Sequence, residues 1–228
     1  MYKRLSYTLN TRDRAFPGAP TISVLPFESM ERGDVCNTFQ VTLFNHFGTH
    51  MDGPNHFNGD GKQLYELELS RFIFERPLLV DIPKAEGEMV LPEDLIPFES
   101  QIMKADLLLI RSGFSRMREE DSGVYSAQGP CVSADAARLI TEKYGNLKAV
   151  GLDWISLSSP LHIEDGVLAH QIMLGKQGNA PVLIIEDIDL RGLDADKLES
   201  VFALPVFIEG IDSAPVTILA KIKDDSEK

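Results

Sequence analysis

The chain has 228 residues, 43% of them hydrophobic and 25% charged, an ordinary globular balance with material for a sizeable core. A formal net charge of −13 argues against nucleic acid and anionic membranes as partners, because such a surface repels phosphates. No stretch approaches the ~20 apolar residues that span a bilayer.

In chain order, Met1-Tyr2-Lys3-Arg4-Leu5-Ser6 has no apolar run behind its basic pair and is not a secretory signal. The stretch from Phe16 to Pro20 reads as a loop lying over some other part of the molecule. Phe39, Val41 and Leu43 alternate with Thr38, Gln40 and Thr42, which predicts a half-buried strand delivering the chain to His46. Short apolar runs at Pro77–Ile82, Asp106–Ile110, Ala149–Leu152 and Val182–Ile185 predict strands covered on both faces. Pro92–Ile96 predicts a short helix. Ser133 is an N-cap for a helix over Ala134–Tyr144, with Gly145 as its stop. Leu168–Leu174 predicts another short helix, and Val216–Ile222 a late strand after Pro215. The tail from Lys223 to Lys228 reads as a solvated end. The two cysteines, Cys36 and Cys131, lack CxxC spacing and read as reduced thiols of a cytoplasmic protein. Strands alternating with helices, without a linker or repeat, predict one α/β domain over residues 1–228. In such sheets functional groups gather beyond strand ends, where Asp153 and Glu186 fall.

The densest chemistry lies between His46 and His56. His46, His50, Asp52 and His56 all occupy even positions, and on an extended chain even positions share a face. Three imidazoles and a carboxylate suit zinc, manganese or iron better than a core. At about 3.3 Å per residue an extended His46 and His50 would stand roughly 13 Å apart, too far to share one ion easily. The chain must therefore bend, and Gly48 permits it, with Gly53-Pro54 as a second break. A helix would also align His46 with His50, but it fails on Gly48, Gly53 and Pro54. The pattern points to a hydrolytic metalloenzyme. Glu186 follows five residues of an apolar run, and the residues leave open whether it meets a metal or simply ends the strand in water. His170 and His162 are read from the residues alone as a structural helix histidine and a loop residue.

The run His46-x-Gly48-Thr49-His50-x-Asp52-x-Pro54-x-His56 resembles the signature of the metal-dependent cyclase-like hydrolases, a family that includes bacterial kynurenine formamidase and isatin hydrolase. Leu5-Ser6, Phe16-Pro17-Gly18, Gly151-x-Asp153-x-x-Ser156, Ile184-Ile185-Glu186, Leu204-Pro205 and Asp212-x-x-Pro215-Val216 are similar to its other motifs. The resemblance implies a single α/β unit of the swivelling β/α kind, working as a homodimer or larger oligomer. It implies two ions, Zn2+ or Mn2+. His46, His50 and Asp52 would hold the first. His170 and Glu186 would complete the second, with Asp52 and Glu186 bridging. It implies His56 as proton donor and acceptor. Phe16 falls where kynurenine formamidases have a substrate-contacting tryptophan. The expected reaction is hydrolysis of an amide or lactam C–N bond in a small molecule. Two rivals remain at this stage. One is a non-haem iron oxygenase using His50, Asp52 and His170. The other is a metal-binding family member without turnover. His56 as a further ligand is the alternative to its acid–base role.

Overall fold

The computed structural model describes residues 1–223, so the tail reading from Asp224 onward lies outside the described residues. Strands run in chain order as β1 (Tyr2–Arg4), β2 (Ser23–Glu28), β3 (Thr38–Thr42), β4 (His50–Asp52), β5 (Ile73–Phe74), β6 (Pro77–Asp81), β7 (Met89–Val90), β8 (Leu107–Arg111), β9 (Cys131–Val132), β10 (Ala149–Leu152), β11 (Leu183–Glu186), β12 (Leu198–Pro205) and β13 (Ser213–Ile222). One mixed sheet runs β5-β12-β13-β4-β11-β10-β8-β6, with β1 added beside β13. Its β6-β8-β10-β11 half is parallel, and every pairing from β11 to β5 is antiparallel. The sheet curls until β12 lies against β6.

The continuous apolar runs are strands with both faces covered, as their composition predicts. Side chains alternate between two cores. Leu107, Leu109, Ala149, Leu183 and Ile185 point into the concave side with Phe72, Phe74, Val201, Ala203, Ile218 and Ala220. Leu108, Ile110, Val150, Leu152 and Ile184 point outward against Ala136, Ala137 and Ile140 of helix Ala134–Lys143 and Ala169, Ile172 and Met173 of helix Ile163–Met173. Ser133 caps the first of these helices, its side chain accepting from the Ala136 amide. The second begins five residues earlier than its apolar pattern suggested, because Glu164 and Asp165 favour a helix N-terminus without contributing apolar periodicity.

The strand over Thr38–Thr42 forms, but it is not half-buried. It pairs with β2 in a two-stranded hairpin outside the main sheet, leaving Phe39 57% and Val41 54% exposed. Alternation reports the pleat of a strand, and here neither face of the pleat meets a core. The sequence pattern also did not pick out β12, although β12 pairs along nearly all its length with β13. Cys36 and Cys131 are both unpaired.

Candidate metal centre

β4 is only three residues long, yet it sits between β11 and β13 near the middle of the sheet. Its register sets His50 opposite Glu186 on one side and Pro215 on the other, and Asp52 opposite Ile184 and Ser213. Within β4 and β11, His50, Asp52, Ile184 and Glu186 share the face turned toward the helices, while Met51 and Ile185 pack into the concave core. The chain bends sharply before β4. Gly48 adopts φ +67°, and a Cβ there would also strike the Leu9 side chain. The bend lets His46 swing back over Asp52.

His46 Nδ1 stands 3.1 Å from Asp52 Oδ1, and His50 Nε2 stands 3.5 Å from the same oxygen. His50 Nε2 is also 3.2 Å from Glu186 Oε2. From the helix above, His170 Nε2 lies 3.8 Å from Asp52 Oδ2 and 3.6 Å from Glu186 Oε1. The helix reaches this depth because Gly166 packs against the Ser158 backbone with no room for a Cβ. His50, Asp52, His170 and Glu186 are all nearly inaccessible to solvent. Glu186 is therefore no solvated strand end, and His170 is no isolated helix histidine.

Outer contacts aim the rings. His50 Nδ1 bonds the Gly48 carbonyl and His170 Nδ1 the Gly166 carbonyl, each at 2.8 Å, which presents both Nε2 atoms to the carboxylates. His46 Nε2 meets Asp212 Oδ2 at 2.9 Å, leaving Nδ1 toward Asp52. Glu186 Oε1 accepts from the Leu157 amide (2.6 Å) and Ser156 Oγ (3.1 Å). An imidazole that donates one N–H to a carbonyl or carboxylate and offers the other nitrogen is the usual orientation of a metal ligand.

The electrostatics ask for a cation. Both oxygens of Asp52 and the Nε2 of His50 are buried without a hydrogen-bond partner, the close His46 contact being misaligned for one. A buried carboxylate left this way costs several kcal/mol unless positive charge compensates it. Burial pushes the Glu186 carboxyl up, but His170 and His50 outweigh it and hold it well below the usual carboxylate range. Burial disfavours charge on the His46 ring, yet its bond to Asp212 and the nearby Asp52 carboxylate raise its pKa to about 10. The ligand atoms form two compact groups, His50-Asp52-Glu186 and His46-Asp52-His56, joined through Asp52. A borderline divalent ion fits this donor set.

Asp212 was missed as a site residue by pattern reading. It precedes β13 and anchors both histidines of the outer group: His56 Nδ1 at 2.5 Å and His46 Nε2 at 2.9 Å. Asn45 Nδ2 donates to its other oxygen, and its backbone carbonyl accepts from the Gly53 amide. The available signal was positional: a lone Asp immediately before an apolar strand mirrors Glu186 at the end of one. Asp153, the other acidic strand end, is fully buried but serves the turn instead, accepting from Ser112, Gly113 and Ser115. His162 bonds the Gly87 carbonyl, away from the carboxylates.

Above the polar floor lies a cavity of about 250 Å3 walled by Phe16, Phe44, Phe57, Ile155, Ile163 and Val167. Phe16 and Phe44 are contributed by the segments on either side of the β2–β3 hairpin.

A family model described as a putative cyclase matches residues 4–159. The chain belongs to the cyclase family. An uncharacterized protein from Haemophilus influenzae is 34% identical over 116 residues, 51% of this chain and 82% of its own. The kynurenine formamidase of Bacillus cereus is 27% identical over 212 residues, covering 93% of each chain. Among solved structures, isatin hydrolase A from Labrenzia aggregata superposes on this chain with a TM-score of 0.82 over 98% of this chain and 94% of that one, at 20% identity. That likeness is one of fold, and it bears out the single-domain α/β expectation.

Proposed function

We propose that this cyclase-family protein is a metal-dependent hydrolase that cleaves an amide or lactam C–N bond, other than a peptide bond, in a small molecule. The observation that carries the reading is the pair of His/carboxylate groups sharing Asp52, with unsatisfied buried donor atoms, at the floor of an apolar cavity. The kynurenine formamidase and isatin hydrolase similarities support the same reaction class.

His46, His50 and Asp52 are the residues for one divalent ion, zinc or manganese. Asp52, His170 and Glu186 are those for a second. When bound, such ions polarise the scissile carbonyl and lower the pKa of a water toward ~7. His56 handles the proton. Asp212 holds its Nδ1, so Nε2 is the atom that takes a proton from the nucleophile and returns it to the leaving nitrogen. Asp212 acts here as the carboxylate of an Asp–His pair, fixing the tautomer and steadying the imidazolium. The apolar walls exclude bulk water and accept a flat, weakly polar acyl or ring portion of the substrate, with Phe16 as a contact. An iron-oxygenase arrangement of His50, Asp52 and His170 would leave His46 and His56 without a part, although both are tied into the same network.

The test is elemental analysis of the purified protein, followed by turnover of aryl formamides and lactams by the zinc- and manganese-loaded forms. At least one ion per chain and hydrolysis of one substrate class are expected. Well under one ion after loading would sink the proposal, and metal without turnover across the panel would favour a binding protein.

We further propose that the protein acts in the cytoplasm as a homo-oligomer. No helix among the described residues is long and apolar enough to cross a membrane. The β2–β3 hairpin leaves Leu25, Phe27, Phe39 and Val41 more than half exposed on its two faces, apolar side chains that burial against a second copy would cover. Phe27→Glu is expected to shift the sedimentation coefficient toward the monomer; a wild-type value would discount the hairpin as the contact.

A further inference from the structure

Asp187 follows Glu186 and is the only non-glycine residue with positive φ, +55°, among those described. Few residues settle there unaided, so the surroundings must hold it. Its carboxylate, 3% exposed, is gripped bidentately by Arg118, Nε to Oδ1 at 3.1 Å and Nη2 to Oδ2 at 3.2 Å, while Tyr125 Oη donates to Oδ1 at 2.6 Å. Its backbone amide donates to the Trp154 carbonyl, and its own carbonyl accepts from Thr49 Oγ1, the side chain preceding His50. Asp187 is thus wired to both β11 and the loop before β4.

Arg118 has a second set of contacts. Its Nη2 donates to Asp13 Oδ2 at 2.8 Å, and its guanidinium lies 4.0 Å over the Tyr7 ring. The Tyr7 amide donates to Thr49 Oγ1. Asp13 sits three residues before Phe16, on the segment whose Phe16 and Ala19 wall the cavity. One largely buried guanidinium therefore joins the cavity's N-terminal wall to the residue beside Glu186.

We propose that Arg118 is a positioning residue that couples the seating of the N-terminal segment over the cavity to the placement of Glu186 and His50. The inference rests on the reading of Glu186 and His50 as metal ligands. It assigns Arg118 no contact with substrate. Its planar fork suits the task because a carboxylate can be held at both oxygens while a third donor reaches elsewhere, which a lysine ammonium cannot reproduce.

Three readouts test it. Arg14 is exposed on the same segment and offers a tryptic site there that does not depend on activity. Arg118→Gln is expected to speed cleavage after Arg14 about tenfold, to raise KM, and to weaken zinc or manganese binding by about tenfold or more, as loss of an outer partner of a metal site does. Asp13→Asn cuts only the wall side, so it should speed cleavage and raise KM while leaving metal affinity unchanged. Arg118→Lys should recover part of both losses. A folded Arg118→Gln with wild-type cleavage and wild-type metal affinity overturns the proposal. So does Asp13→Asn with unchanged cleavage. Should Arg118→Gln fail to fold, Arg118→Lys and Asp13→Asn decide by the same measures. If no amide or lactam is turned over, the function proposed above fails, while cleavage and metal affinity still judge the coupling.

Discussion

Asp52→Asn is expected to lower the affinity for both divalent ions by at least 10²-fold and turnover by more than that. The carboxylate is the shared member of the two ligand groups, its Oδ1 facing His46 and His50 and its Oδ2 facing His170. Asparagine keeps the shape but offers one neutral oxygen in place of two charged ones. The same substitution should leave the metal-free protein no more stable than the parent near neutral pH, because it also removes the partner of the neighbouring imidazoles. In the metal-free state burial and the neighbouring Glu186 push the Asp52 carboxyl up, but His56 and His46 outweigh them and hold it below the usual carboxylate range. Removing that charge forfeits the attraction of those imidazoles and leaves them less compensated. The signature is a gap in Tm between metal-loaded and chelated protein that collapses in the variant. For the parent, an ion at a thousand times its Kd contributes about 4 kcal/mol. Wild-type metal content in Asp52→Asn, measured by elemental analysis, would remove Asp52 from the ligand set.

His56→Ala is expected to retain metal while turnover drops roughly 10²–10⁴-fold, the usual worth of a positioned acid–base group. Added imidazole should restore part of the rate, because the variant leaves a space beside Asp212. Asp212→Asn should fall between the parent and His56→Ala, since it leaves the ring present but unfixed in tautomer. His46, His56 and Asp52 also form a compact group that could ligate an ion, so the two roles for His56 make opposed predictions. If metal content falls in step with activity, His56 is a ligand and another group moves the proton.

Much of this was legible in the chain. Even spacing of His46, His50, Asp52 and His56, read with the glycine and proline breaks, anticipated a bend at Gly48, and the bend is there. The apolar runs ending at Ile110, Leu152 and Glu186 carried the parallel half of the sheet, because a strand covered on both faces needs no alternation to declare itself. What pattern reading could not supply were partners fixed by register. Glu186 and His170 were ambiguous alone, since burial and company come from β4 and from the helix packed over it. Asp212 lies more than 150 residues from the histidines it holds, and its place just before an apolar strand marks it only as a strand-end acid, not as their partner. The hairpin misled for the converse reason: β3 has the right period, but whether its pleat faces a core depends on the rest of the fold.

β4 is the seam of the sheet. Only three residues long, it is what joins the parallel strands on the β11 side to the antiparallel strands on the β13 side. Both of its neighbours come from the last fifty residues of the chain, so the seam closes only after very large loops have been brought together, an entropic cost that local structure does not offset. The ion assigned to Asp52, His170 and Glu186 would bind across the β4–β11 side of that seam and act as a rivet there. Metal availability would then govern not just turnover but how long the folded chain survives, through slower parting of β4 from β11 and a lower population of opened, protease-sensitive molecules.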